Sequence, residues 1–227
     1  MFPAPTPITI PVHGGGDPFP VRRVFCVGRN YAAHAIEMGS DPEREAPFFF
    51  TKPADAIVPS GSTIAYPSRT ADFQHEIELV VAIGKQGSAI PVEAATGYVF
   101  GYAVGLDMTR RDLQMDARKT GRPWDMGKAF DQSAPCGAIT PIAVSGPITA
   151  GKIAVTVNGE PRQSSDVSLL IWSVAEVIAD LSHYVELMPG DVIYTGTPEG
   201  VGPVQRGETM VGKIDGLQDL TIAVAAA

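Results

Sequence analysis

The steadiest pattern in the chain lies at residues 76–83, where Ile77, Leu79, Val81 and Ile83 alternate with Glu76, Glu78, Val80 and Ala82. A period of two predicts a β-strand with one face turned to a core. Residues 98–106 are apolar and interrupted by glycines, which predicts a buried strand with close neighbours. Further strands are expected at 21–28, at 47–53 around Phe48-Phe49-Phe50, at 192–195 and at 220–224, while 54–74 is turn-rich. Residues 153–157, the pair Asn158-Gly159 and residues 160–164 predict a hairpin closed by a type I′ turn.

Three stretches carry helical signals. The first spans 31–38, with Asn30 as N-cap and Gly39 as its stop. The second spans 109–119, with Thr109 as cap and Asp112 three residues on. The third spans 168–184, with Ser168 as cap and Leu170, Val174, Val177, Ile178 and Leu181 turned inward. Strands and helices do not alternate regularly, so a doubly wound parallel sheet is not expected. The pattern predicts an α+β chain, mostly β, with a few short helices. Residues 1–20, rich in Pro and Gly, read as an N-terminal arm, and 21–227 as a single catalytic domain.

Composition narrows the chemistry. With 44% hydrophobic and 19% charged residues over 227 positions, the chain has enough apolar material for a real core. A net charge of −8 shows no basic face for nucleic acid. An acidic protein that handles an anionic substrate must neutralise it locally, with a metal or with placed Lys and Arg. Cys26 and Cys136 stand in no metal-binding spacing and read as two buried thiols of a reducing compartment. No run approaches the roughly 20 apolar residues of a membrane span. The first residues do not resemble a secretory signal, so a cytoplasmic location is expected.

Glu76 and Glu78, two apart on a strand, share a face and stand about 6.5–7 Å apart along the chain. Side by side near a core, two carboxylates are costly unless a cation joins them. Asp107 ends an apolar run where a charge is out of place. Read alone, each has an ordinary explanation, a solvated edge or a turn cap. Together they predict an open site for a hard cation, Mg2+ or Mn2+, with oxygen ligands only. His34 and Glu37 fall three apart on a helix face, where the carboxylate fixes the imidazole tautomer for water activation. Lys128, in a stretch of low charge, is expected to clamp a substrate carboxylate or enolate oxygen. Arg111 and Gln114, one turn beyond Asp107, are expected to line the same cavity. His75 precedes the acidic strand and is expected behind the site. Arg110 and Arg118 are expected to be solvated. The run from Gly207 to Lys213 has the spacing of a phosphate-binding loop, but Ile214 follows the lysine and a turn stands where a helix is needed, so nucleotide binding is not expected.

Four stretches, taken in order, carry a resemblance: Gly28-Arg29-Asn30-Tyr31-Ala32-Ala33-His34; His75-Glu76-Ile77-Glu78-Leu79; Asp107-Met108-Thr109-Arg110-Arg111-Asp112; and Thr195-Gly196-Thr197-Pro198-Glu199-Gly200-Val201-Gly202. From about Val24 onward the chain resembles the fumarylacetoacetate hydrolase family. The resemblance implies a mixed β-roll/β-sandwich fold and one Mg2+ or Mn2+ at Glu76, Glu78 and Asp107. It implies a water-activating dyad at His34 and Glu37, a catalytic lysine at Lys128 and a substrate contact at Thr197. The implied reaction is hydrolysis of a C–C bond in a 2,4-dioxo acid by a homodimer. Residues 19–58 are most similar to members that split fumarylpyruvate in gentisate degradation. The same scaffold hosts acylpyruvate hydrolysis, oxaloacetate decarboxylation and isomerisation, and the residues also leave open a non-catalytic oxo-acid binding protein.

Overall fold

In a computed structural model, which describes residues 3–4, 6–37 and 45–226, the strand Ile77–Ile83 is the spine of the molecule. It lies in the middle of an eight-stranded mixed sheet. On one side it pairs antiparallel with Val99–Leu106, and on the other with Asp191–Tyr194, which runs parallel to Arg23–Gly28. Phe48–Lys52 closes that side, and Ala134–Cys136 and Ile57–Pro59 extend the other. A second sheet of five strands, Glu160–Asp166, Lys152–Val157, Thr209–Ile214, Leu220–Val224 and Thr63–Ile64, packs across it. The result is the mostly β, curled-sheet architecture expected, with few helices.

Alternation explains the layering. Ile77, Leu79, Val81 and Ile83 enter the core between the two sheets together with Val104, Leu106, Val155, Met210 and Ile222. Each such side chain, removed from water, contributes about 1.5–3 kcal/mol. Val80 and Ala82 face a second, smaller core with Val24, Cys26, Ala103, Cys136 and Tyr194. The carboxylate-bearing face is therefore buried as well, and the whole strand is inaccessible. An edge strand with a solvated polar face is ruled out by the two neighbours. Within the stretch read as an arm, Thr9–Ile10 pairs with Phe19–Pro20, and Ile10 and Phe19 are buried in the second core.

Several boundaries differ from expectation for identifiable reasons. The middle helix is Arg111–Thr120, and Arg110 at its N-cap makes no side-chain cap bond. Thr109 does not cap it. Thr109 pairs with Gln74 in a short strand, and its hydroxyl donates to the Asp107 carbonyl and accepts from Lys128. The last helix is Val174–Tyr184, capped by Ser173 with Glu176 completing a capping box. Ser168 is tied instead to Asp166 in a 3-10 turn, Val167–Leu169. Residues 171–172 stay out of the helix because Asn30 captures them. Its carbonyl accepts from Ile171 N–H, and its side-chain amide exchanges bonds with the Trp172 backbone. That commitment also removes Asn30 from the capping role expected at Ala32–Glu37. Met38 and Gly39, the expected end of that helix, lie outside the described residues. The phosphate-loop look-alike is the strand Thr209–Ile214, and Asn158 and Gly159 take the left-handed backbone that the predicted hairpin turn requires.

Candidate active site and metal centre

Three chain segments bring the carboxylates together. Glu76 stands at the break between Phe73–His75 and the spine, Glu78 points from the second residue of the spine, and Asp107 follows the end of Val99–Leu106. The register sets Ile77 opposite Leu106, and the Asp107 N–H donates to the Glu76 carbonyl at 2.8 Å. One oxygen from each carboxylate lies within 4.8 Å of the others, and all three residues are buried.

Cations surround this cluster. Lys128 Nζ lies 2.8 Å from Glu76 Oε2, 2.7 Å from Asp107 Oδ2 and 2.7 Å from Thr109 Oγ1. The Arg111 guanidinium pairs with Glu76 and also donates to Gln74 (2.9 Å) and Gln114 (2.5 Å). A third cation was not foreseen: Lys52 Nζ sits 2.8 Å from Asp107 Oδ1 and donates to the carbonyls of Met108 and Lys128. Burial alone would raise the Glu76 carboxyl, but Lys128 and then Arg111 outweigh it and hold Glu76 well below the usual carboxylate range. Burial would lower the Lys128 ammonium, yet Asp107 and Glu76 raise it.

Glu78 is different. Its Oε2 accepts from Gly196 N–H at 2.8 Å, and among the described residues no Lys or Arg ion-pairs with it. Burial first, then Asp107 and Glu76, push its carboxyl well above the ordinary value. Gly196 delivers its N–H from a backbone with φ 102, and a Cβ there would fall 2.6 Å from that of Asn30. An all-oxygen set within reach of one ion, with one buried carboxylate lacking a cationic partner, fits a hard divalent cation.

All nine residues expected in the site converge. His34, Glu76, Glu78, Asp107, Arg111, Gln114, Lys128 and Thr197 line one pocket, with Phe48, Phe50 and Trp124 on its apolar wall. Glu37 stands behind His34, its Oε2 3.1 Å from Nδ1, which leaves Nε2 for the pocket. Gly200 N–H donates to both Glu37 oxygens at 3.2 Å and steadies the dyad. Thr197 accepts from Gln163 Nε2 at 2.8 Å, and the same amide's oxygen accepts from Ile77 N–H and meets His75 Nδ1. His75 is thus behind the site, as expected. Gly127 lets Arg111–Thr120 and Asp125–Lys128 touch, because a Cβ there would lie 2.7 Å from Gln114 N. That contact sets Lys128 beside Gln114. Phe49 points away and packs against Tyr184.

Sequence reasoning missed Lys52, Gln163, Arg29 and Arg118. Lys52 carried a usable signal, a charge closing the apolar run Phe48-Phe49-Phe50, the same kind that marked Asp107. Gln163 carried none, since it sits in a polar strand. Arg118, expected in solvent, lines the pocket, because it falls on the helix face of Arg111 and Gln114.

Comparison with known proteins agrees with this arrangement. The family described as "Fumarylacetoacetate (FAA) hydrolase C-terminal" matches residues 23–225. A fumarylpyruvate hydrolase from Ralstonia sp is 49% identical over 187 residues, 82% of this chain and 97% of that protein. A mitochondrial oxaloacetate tautomerase from Homo sapiens is 42% identical over 203 residues, 89% of this chain and 91% of that protein. The crystal structure of fumarylpyruvate hydrolase from Pseudomonas aeruginosa in complex with Mn2+ and pyruvate superimposes with a TM-score of 0.97 at 57% identity, covering 100% of this chain and 99% of that one.

Proposed function

The chain belongs to the fumarylacetoacetate hydrolase family, and from that premise we propose that it hydrolyses a C–C bond in a 2,4-dioxo acid, converting fumarylpyruvate to fumarate and pyruvate. The observation that carries the reading is the meeting, in one pocket, of a three-carboxylate cluster with a His34–Glu37 pair. The Ralstonia and Pseudomonas relatives, named for this activity, support it.

Glu76, Glu78 and Asp107 are the ligands for one Mn2+ or Mg2+. Bound there, the ion supplies Lewis-acid polarisation of the substrate's oxo-acid oxygens. Thr197, Gln114 and Arg111 hold the oxo-acid end. Glu37 orients His34, whose Nε2 takes a proton from water. The hydroxide oxygen bonds to the distal carbonyl carbon. The bond from that carbon to the neighbouring methylene breaks, and its electron pair leaves on the oxo-acid fragment as an enolate. Lys128 stabilises the charge that develops on the enolate oxygen. Return of the proton to carbon yields pyruvate, and the acyl group departs as fumarate.

A second reading, proton relocation in oxaloacetate, follows from the tautomerase relative. It uses His34 as a base toward carbon and consumes no water. The wider reading is a single catalytic domain at 21–227 preceded by an arm, assembled as a cytoplasmic homodimer in gentisate-type aromatic catabolism. The family resemblance supports it, and among the described residues no helix is long and apolar enough to cross a membrane.

The test follows fumarylpyruvate by its ultraviolet absorbance, with Mn2+ and with EDTA. Metal-dependent loss with equimolar fumarate and pyruvate supports hydrolysis. A stable dioxo acid alongside rapid enol–keto exchange of oxaloacetate transfers the site to the tautomerase reading.

A further inference from the structure

The strand Glu160–Asp166 is the outer strand of the five-stranded sheet, and Gln163 is its only buried residue, 1% exposed. The pairing with Lys152–Val157 explains why. Val155 faces Gln163 and Thr156 faces Pro161, so Arg162 is an extra, unpaired residue, and such a bulge re-aims the side chain beside it. The loop that follows Asp191–Tyr194 closes on the same place. Gly200 takes φ 87, and a Cβ there would fall 2.5 Å from the Arg162 carbonyl oxygen. Gln163 thereby meets the loop that carries Thr197.

The orientation of the Gln163 amide is fixed by groups that have no choice of role. Ile77 N–H can only donate, and it lies 3.0 Å from Oε1. The Pro198 carbonyl can only accept, and it lies 2.8 Å from Nε2. His75 Nδ1, 3.0 Å from the same Oε1, must therefore donate to it. The second hydrogen on Nε2 goes to Thr197 Oγ1 at 2.8 Å. Gln163 does not line the pocket, but Thr197 does. A hydroxyl has one hydrogen and rotates between giving and receiving. Here it receives from behind, and among the described residues no acceptor takes its own hydrogen. That hydrogen is left for the pocket.

We propose that Gln163 is a positioning residue: by donating to Thr197 from behind, it fixes the Thr197 hydroxyl as a hydrogen-bond donor toward an oxygen of the oxo-acid substrate. The proposal rests on the reading that Thr197 holds the oxo-acid end. Groups that only accept, a carboxylate or a keto oxygen, suit this polarity.

Pyruvate binding, measured by calorimetry in saturating Mn2+, reads the effect without turnover. Gln163→Glu keeps the side-chain shape and still offers one oxygen to Ile77 and His75. Its other oxygen can only accept, so the Thr197 hydrogen turns away from the pocket to meet it. Pyruvate affinity should fall about tenfold to a hundredfold, the scale of a lost hydrogen bond to a charged group. Gln163→Met removes the donor without supplying an acceptor. The hydroxyl is then unguided but not reversed, and the fall should be smaller, about threefold to tenfold. In the Thr197→Val background neither substitution should lower affinity by more than about twofold, because no hydroxyl is left to orient. Melting curves check that each variant folds, and the Met pair carries the test if the Glu variants do not. Losses that add in the double variants, or a weaker Met than Glu variant, would overturn the proposal and leave Gln163 as a support of the loop. Fumarylpyruvate turnover by the wild type is scored separately. Non-additive losses of pyruvate binding without any cleavage retain the positioning role and reject the hydrolase. Cleavage with additive losses does the reverse. A wild type that binds no pyruvate in Mn2+ would overturn both.

Discussion

Replacing Lys52 by Met removes the ammonium that lies 2.8 Å from Asp107 Oδ1 at a position only 3% exposed. Of the three clustered carboxylates, Glu76 and Asp107 pair with three cations, Lys52, Lys128 and Arg111. Loss of one cation leaves Asp107 with Lys128 alone, and Lys128 is already shared with Glu76. Removing one partner of a buried ion pair typically costs about 3–5 kcal/mol. For a domain of this size each kcal/mol lowers Tm by about 2–4 °C, so the expected loss is about 6–20 °C in EDTA. Met keeps most of the Lys52 stem volume, which limits any cavity contribution. A divalent cation held by Asp107, as proposed, would supply positive charge in place of the ammonium, and ligand binding to the native state adds stability by mass action. The gap between variant and wild type should therefore narrow in saturating Mn2+. Melting curves by circular dichroism, with EDTA and with Mn2+, measure both quantities. A variant within about 2 °C of wild type in EDTA would refute the view that Lys52 offsets Asp107. An unchanged gap in Mn2+ would remove Asp107 from the ion's ligands.

Other consequences can be checked alongside. His34→Ala should lower kcat by about 10²–10⁴ while calorimetry still finds Mn2+ bound, and a nearly full rate would end the water-activation role. Glu76→Gln should weaken Mn2+ binding measurably, since one of the three proposed anionic ligands is lost, and an unchanged isotherm would take it out of the site. Lys128→Met should reduce kcat by about 10²–10³ through loss of the charge proposed to meet the enolate, whereas a change confined to KM would limit Lys128 to holding substrate. Burial, eased slightly by Tyr194, pushes the Cys136 thiol up to about 12, and burial first pushes Cys26 well above its usual range. Both thiols therefore stay protonated at pH 8 and should resist iodoacetamide until the protein is denatured. Labelling of the native protein at free-cysteine rates would contradict their burial.

The carboxylates were legible in the sequence because a strand's period of two is a local property. Glu76 and Glu78 had to share a face whatever the fold, and a charge closing an apolar run marked Asp107. The His34–Glu37 spacing and the Asn158-Gly159 hairpin are likewise local. The boundaries that shifted were decided by distant partners. Asn30 holds the Trp172 backbone out of the helix that Ser168 was expected to begin, across 142 positions of chain. Thr109 gave up its cap to serve Lys128. Lys52 became a site residue only because the curled sheet brings the end of Phe48–Lys52 against Asp107, a pairing of residues far apart in the chain. Arg29 and Arg118 come from a strand-to-helix turn and a helix, and only the tertiary fold brings both to the wall of one pocket. Periodicity and motif spacing report what backbone geometry dictates over a few residues. Which charges face one another, and therefore which carboxylate lacks a cationic partner, depends on long-range packing that no local pattern encodes.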